Sequence, residues 1–456
     1  MLVVLSAEKS YTLYVIIKED NIKVKFEEFS LPLIAEHNSS AIIPTIRGVP
    51  FFKYGVHAYY FLNFRTLKGL CVTINHKDII LPGISGFLKS NPTAHRYFHK
   101  LKSLLQRYHY DFTFLEQIML MTVPHTVTHI ENGRFLVNLW SYFGYLDIDC
   151  KSRSVNYTTT NELHNGHVFG SQQFYDAQND ELYYMSYSLK DSLKRAASPE
   201  EKVFCKILKH DNKADNTEDI WSGEFADYLH DIVVNKTRQY CVVCELGLYK
   251  DDKDNIIPSK VLVLDLKSRK SWIISRFIVA AHAQFDPDDP DVIYFSNHNF
   301  DFKHSSIFKL LRNATYNVAF RGPASVYKYR LTSDGPEELG VFTQSDLFRL
   351  TNFHVFRHRG QKILAAIGFP NFIFIADAET MKFIKRIEVN HPNAPKSHPW
   401  SIGTFSPSID GEKIYAHTTK SFQTVDIASG ESDIILDHSY NHSCANHMLI
   451  SSDTNW

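Results

Sequence analysis

The sequence predicts an all-β chain, and within that class a seven-bladed β-propeller, on three observations. The first is a strand, polar turn and strand that recur in YLDIDCKSRSVNY (145–157), KVFCKILKHDNKADNTEDIW (202–221) and KVLVLDLKSRKSWII (260–274). They recur again in SVYKYRLTSDGPEELGVF (325–342), FIFIADAETMKFIKRIEV (372–389) and FQTVDIASGESDIIL (422–436). The second is an inner strand pair upstream of each, marked by FLVNLW, ELYYMSYS, QYCVVCELGL, VIYFSNHN, KILAAIG and KIYAHTT. The third is spacing: units recur every ~45–65 residues with no helical period between them, as four-stranded blades with loops require. Turn residues such as Lys-Ser-Arg, Ser-Asp-Gly and Ala-Ser-Gly are ordinary hairpin chemistry.

The stretch AHAQFDPDDPDVIYFS (281–296) shows the unit most clearly. A strand opens near His282, two prolines hold a turn at Asp286–Asp291, and Val292–Phe295 form the next strand. Proline presets a turn and cannot donate to a ladder, so the break falls there. Residues 2–29 supply three strand-like runs, LVVLS, YTLYVIIKE and NIKVKFEEF, and the C-terminal ANHMLISS reads as a lone inner strand. Joined, they make the seventh blade, so that N- and C-terminal strands close the ring; eight blades result if residues 40–80 form a blade of their own. From Asn91-Pro92 the period becomes helical, with Tyr97, Phe98, Leu101, Leu104, Leu105 and Tyr108 on one face. Residues 81–122 are therefore expected to be a helical insertion or cap on a single domain spanning 1–456.

Composition excludes several classes. The net charge of −1 and the scattered basic residues provide no field for nucleic acid. No apolar run reaches the ~18 residues needed to span a bilayer. The opening MLVVLSAEKS lacks a basic start and a small-residue cleavage site, so it reads as a strand. The six cysteines are widely spaced, and a cytoplasmic location with reduced thiols is the expectation. The compositional outlier is histidine, at 23 residues.

FSPSIDGEKIYA (405–416) followed by FQTVDIASGE (422–431) resembles the repeat of the YVTN and WD-like propeller superfamily, which implies the fold. AHAQFDPDDPDVIYFS is similar to the blade turn of propeller lyases that degrade oligogalacturonate with manganese. YLHDIVVNKTRQYCVVCE (228–245) resembles the His-Asp blade opening of carotenoid-oxygenase-type propellers, which bind iron through four histidines. A fold so widely shared does not fix function.

Histidines track the repeat. His125 and His129 precede FLVNLW, His164 and His167 precede ELYYMSYS, and His230 precedes the QYCVVCE strand. His282 opens the organising stretch, His354 precedes KILAAIG, His398 precedes WSIGTFSP, and His442 and His447 lie at the last strand. In a propeller, strand starts ring one end of the channel, so imidazoles distant in sequence converge. Imidazole is the commonest protein ligand for divalent transition metals. The expected ligands of an Fe, Mn or Zn ion are His230, His282, His354 and His398, with His167 in reserve. Gln284, two residues from His282 on a regular strand, would face the same ligand, while Asp231 and Glu162 would orient imidazoles. The competing reading is structural: a strand-start histidine bonds the backbone of a neighbouring blade and fixes the interface without metal.

Other motifs are weaker. Cys241 and Cys244 have redox spacing, but on a strand residues three apart face opposite sides. Asp286, Asp288, Asp289 and Asp291 resemble a calcium loop in composition only, lacking the glycine and closing glutamate of an EF-hand. The chain has no phosphate loop, nucleophile elbow or H-E-x-x-H motif, and no organic cofactor is expected. Function at this level is a metal-dependent propeller enzyme with a histidine-lined axial site, of lyase, cyclase or oxygenase type. Its substrate would be small, and apolar or aromatic. The alternatives are a non-catalytic scaffold with a protein partner, and a metal-free propeller hydrolase or cyclase using histidine as acid and base.

Overall fold

In the computed structural model, aspartate-led turns close the outer hairpins, and this local chemistry repeats from blade to blade. Asp265 accepts the amide N–H groups of Lys267 (2.9 Å) and Ser268 (2.8 Å), while its own carbonyl takes the N–H of Arg269 at 2.9 Å. Arg269 then sits in the left-handed region, with φ of 60°. The same four-residue step links Asp149 to Arg153, Asp211 to Asp215, Asp377 to Met381 and Asp426 to Gly430, each ending at positive φ. Turn amides hold the carboxyls of Asp211, Asp377 and Asp426 below their ordinary range.

The structure describes residues 2–7, 10–16, 23–32, 39–47, 56–75, 124–131, 133–139, 144–159, 167–188, 191, 202–225, 229–245, 258–277, 280–297, 300–302, 318–320, 323–347, 352–368, 371–389, 402–418, 421–437, 442–443, 448–452 and 454. The expected helical insertion 81–122 and the connector 391–400 lie outside them. By contact density the chain divides into two compact units. One comprises Met1–Phe169, Tyr415–Thr424 and Asp433–Trp456; the other comprises Gly170–Ile414 and Val425–Ser432.

The first sheet contains β1 (Leu2–Ala7), β2 (Ser10–Ile16), β3 (Lys23–Ser30), β4 (Ser40–Arg47), β5 (Val56–Asn63) and β6 (Lys68–Asn75). Its order is β1-β2-β3-β6-β5-β4. A meander of β7 (Pro124–Glu131), β8 (Arg134–Leu139), β9 (Gly144–Asp149) and β10 (Ser154–Thr159) follows. The next meander is β11 (His167–Asp176), β12 (Glu181–Ser188), β13 (Val203–Asp211) and β14 (Asn216–Phe225). After it come β15 (Leu229–Val234), β16 (Tyr240–Glu245), β17 (Ser259–Asp265) and β18 (Ser271–Phe277). Next are β19 (Ala280–Phe285) and β20 (Val292–Asn297), then a separate ribbon of β21 (Phe300–Phe302) and β22 (Val318–Phe320). β23 (Ser325–Thr332) and β24 (Gly335–Thr343) complete the β19–β20 sheet. The last two meanders are β25 (Phe353–His358), β26 (Gln361–Gly368), β27 (Phe372–Asp377), β28 (Lys382–Glu388), and β29 (Ile402–Pro407), β30 (Lys413–Thr418), β31 (Ser421–Asp426), β32 (Ser432–Asp437). Finally β33 (His442–Ser443) and β34 (Leu449–Ser451) both pair with β4.

Among the described residues these are the seven blades of an all-β propeller fold, and all six predicted outer hairpins are present as β9–β10, β13–β14, β17–β18, β23–β24, β27–β28 and β31–β32. Second strands are buried on both faces: all six residues of β16 and Val292–Ser296 of β20 are covered. Outer strands β18 and β28 are mostly exposed, which is why their sequences are mixed. This is the burial gradient a blade requires.

The terminal blade corrects the expected arrangement. The C-terminal strand joins the N-terminal sheet, but its partner is β4 and not a strand of residues 2–29: Leu449 lies opposite Ile42, and Ser451 opposite Ser40. Residues 40–75 form neither an eighth blade nor a bystander; they are the inner strands of the blade that β3 extends. The reason is burial. Ala41, Ile42, Ile43, Tyr59, Phe61 and Leu62 are all fully covered, on both faces of their strands. β3 instead alternates Val24 and Phe26 inward with lysine and glutamate between them.

In the second unit, one set of turns is stitched from blade to blade. Arg238, between β15 and β16, grips the carboxylate of Asp176 at the end of β11. Asn235 Nδ2 donates to Pro290 O at 3.0 Å, and Lys236 Nζ to Pro287 O at 3.0 Å. Arg357 pairs with Asp288 at 2.9 Å, and Arg359 with Glu412 at 3.0 Å. His358 Nδ1 lies 2.9 Å from Gly411 O. Asp286, Asp288 and Asp289 of the organising turn therefore accept turn amides or pair with cations of the protein itself, and Asp291 donates its backbone N–H to Asp289.

A buried imidazole supplies a pH prediction. His417 on β30 is fully covered, and burial pushes it down to about 4. The unfolded chain takes up that proton near ~6.5. Stability from this group is thus complete above pH ~6.5 and is lost as pH falls toward about 4, by about 2 kcal/mol between pH 7 and pH 5. Urea titrations at the two pH values should show the loss, and His417→Gln should reduce it by that amount. An unchanged pH slope in the variant contradicts the assignment.

Candidate functional site

The site is built on the innermost strands of four successive blades in the second unit, where β15 packs on β19, β19 on β25, and β25 on β29. Two of these strands are broken by a β-bulge at their histidine. On β15 the register slips between Leu229, opposite Glu245, and Asp231, opposite Cys244, which makes His230 the extra residue. On β19 it slips between Ala281, opposite Ser296, and Gln284, opposite Tyr294, so His282 and Ala283 share the bulge. His282 adopts φ of 54°, the left-handed region. Bulges concentrate beside functional sites because they re-aim a side chain, and an unusual φ in a non-glycine residue marks a position its surroundings over-determine. In the first unit, β7 shows the same slip between Pro124 and Thr126, at His125.

Polar side chains then bridge one innermost strand to the next. Asp231, fully buried, accepts the backbone N–H of His282 at 2.6 Å, holding the bulge in place. Gln284 mimics a peptide unit: its Nε2 donates to Val355 O at 3.0 Å and its Oε1 accepts the Val355 N–H at 3.0 Å. His354 lies with Nε2 2.9 Å from Phe405 O and its ring edge-on to Phe405 at 4.9 Å between centroids. A carbonyl oxygen only accepts, so Nε2 carries the hydrogen and Nδ1 carries the lone pair. Burial pushes the His354 imidazole down to about 4, against the opposing pull of the Phe405 carbonyl, and the ring is neutral at physiological pH.

The sequence-predicted residues are thus placed as follows. His282, Gln284 and His354 lie on adjacent innermost strands, with Asp231 beside His282. His230 and His167 are placed by backbone in β15 and β11, while their side chains, and all of His398, His164 and Glu162, lie outside the described residues. The regular alternation that would put Gln284 on the face of His282 does not hold, because the bulge falls between Ala281 and Gln284. Asp231 holds His282 by its backbone N–H. Among the described residues no group of three or more His, Cys, Asp or Glu side chains is arranged to hold a metal ion. Cys241 and Cys244 are free thiols buried in β16, and burial pushes Cys241 up to about 12 and Cys244 up as well. That makes them poor nucleophiles. Sequence reasoning missed the strand-bridging roles of Asp231 and Gln284; their partners lie 51 and 71 residues away.

The fold places the chain in the β-propeller class. Solved structures similar to it include an oligogalacturonate lyase in complex with manganese, at 8% identity and TM-score 0.46, covering 94% of this chain and 97% of the other. A functionally unknown protein from Desulfotomaculum acetoxidans DSM 771 is 14% identical, with TM-score 0.40 over 68% of this chain and 79% of the other. Kluyveromyces lactis Hsv2 is 11% identical, with TM-score 0.40 over 69% and 78%. No family model and no curated protein matches the chain. Likenesses this distant carry no argument about chemistry. Among the described residues no helix is long and apolar enough to cross a membrane.

Proposed function

We propose that the chain is a metal-binding propeller enzyme whose site lies at the starts of β15, β19 and β25, with His398 ahead of β29. The observation that carries this reading is the pair of bulges at His230 and His282 on adjacent innermost strands, one of them pinned by a buried carboxylate. His354 adds support, since a ligating imidazole usually donates its second N–H to a carbonyl or carboxylate. His230, His282, His354 and His398 would hold the ion, which would supply Lewis acidity to a small substrate at an open coordination position. Reaction type in this reading is lyase, cyclase or oxygenase.

Elemental analysis of the purified chain tests the reading. About one Fe, Mn or Zn per chain is expected, and His282→Asn should lose it. Asparagine tolerates the left-handed region, so this variant removes the imidazole with little backbone strain. A wild-type chain that takes up none of these metals, or a variant that keeps a full complement, sinks it. The second reading is a non-catalytic scaffold. In its favour, Gln284 and His354 already direct hydrogen bonds to neighbouring strands, as purely structural residues would.

A further inference from the structure

We propose that Asp231 and Gln284 are positioning residues that set the geometry of the histidine site, an inference that rests on the metal-binding reading above. Neither is assigned a ligand's role. Each ties one histidine-bearing innermost strand to the next, at or beside the residue whose imidazole is to be placed.

Asp231 follows the bulged His230 directly and accepts the N–H of the bulged His282. It therefore fixes two candidate ligands at once: one through the chain, one through a 2.6 Å hydrogen bond. The Asp231 carboxyl thus supplies the acceptor for the N–H of this left-handed, bulged residue.

Gln284 acts at the next junction. Its primary amide reproduces both bonds of a peptide group, at 3.0 Å each, so β19 and β25 are joined as if by one rung of a ladder. That rung lies two residues from His282 and one from His354, and it fixes the separation of the two strands that carry them. A side chain with a single donor or acceptor would leave the strands free to slide. His354 in turn is tied to β29 through Phe405 O, so the linkage continues toward the strand that follows His398.

The test uses the full-length chain and Zn²⁺ alone as probe, titrated in competition with a chromophoric chelator, beside thermal melting. Orienting partners of metal ligands typically alter affinity by roughly 10- to 100-fold. Asp231→Ala and Gln284→Met should each weaken Zn²⁺ binding by at least ~10-fold at unchanged stoichiometry. Asp231→Asn, which keeps an acceptor for the His282 N–H, should restore most of the affinity. Gln284 is half-buried, so its variant remains informative if Asp231→Ala does not fold. Wild-type Zn²⁺ binding with folded variants that melt lower yet bind equally well overturns the positioning role and leaves the metal reading intact. Absence of Zn²⁺ binding by the wild type overturns both.

Discussion

Asp286→Ala is expected to destabilise the protein by about 3–5 kcal/mol, the range for breaking a buried ion pair at one partner. The Asp286 side chain is 1% exposed and that of Lys362 9%. Lys362 Nζ lies 3.0 Å from Asp286, 3.3 Å from Asp288 and 2.8 Å from Glu379. Tyr294 donates its hydroxyl to Asp286 at 3.1 Å, and the amides of Asp288 and Asp289 do so at 2.9 and 3.1 Å. Lys328 Nζ completes the cluster, 2.9 Å from Ala378 O and 3.1 Å from Glu379. Burial would raise the Asp286 carboxyl, but the turn amides and the Lys362 ammonium outweigh it and hold the group below its ordinary range. Alanine removes these partners together and leaves Lys362 with the partly exposed Asp288 and Glu379 alone. Lys362→Met should cost less, because Asp286 keeps two amides and the tyrosine. The double variant should cost less than the two single losses added, since the partners share a network. Urea unfolding of the three variants measures this. A loss under 1 kcal/mol for Asp286→Ala would show that the cluster contributes little.

Removing residues 447–456 should have an effect of similar size or larger. The deletion takes away β34, whose Leu449, Ile450 and Ser451 pair with Ile42, Ala41 and Ser40. It also removes Thr454, whose carbonyl accepts from Asn63 Nδ2 at 2.9 Å, and the buried Met448 and partly buried Ile450 that pack on the Leu31, Ile43 and Tyr415 cluster. What remains is an apolar β4 that β33 pairs only at Ile46 and Arg47, leaving the edge at Ser40–Ile42 uncovered, and exposed apolar edges template aggregation. The expected outcome is a chain ending at Asn446 that is recovered mainly as aggregate. A soluble product that melts cooperatively near the full-length temperature contradicts it.

Much of the fold is legible in the sequence, because blade chemistry is local. Asp265, Asp377 and Asp426 begin their turns with an acceptor and end them four residues on in the left-handed region, and each such turn was visible as a polar break between strands. The runs CVVC, VIYF and LAA are apolar at every position because both faces are covered. The terminal blade was harder. Which of residues 2–75 lie innermost depends on burial of both faces of β4 and β5, which strand periodicity by itself does not reveal.

The site was legible only as residue types. Histidines at strand starts are written in the sequence; a slip of one register position at His230 or His282 is not, since a bulge changes pairing without changing composition. Period-two alternation therefore misled at Gln284. Its bond to Val355, like that of Asp231 to His282, depends on strands brought together by the blade repeat, across separations that no local window covers.

Anomalous diffraction from metal-loaded crystals tests the central claim most directly. The account predicts one strong peak about 2.1 Å from imidazole nitrogens of at least three of His230, His282, His354 and His398, with His354 contributing the nitrogen not bonded to Phe405. Metal-loaded crystals with no peak between those strands, or with peaks at surface histidines alone, would contradict it.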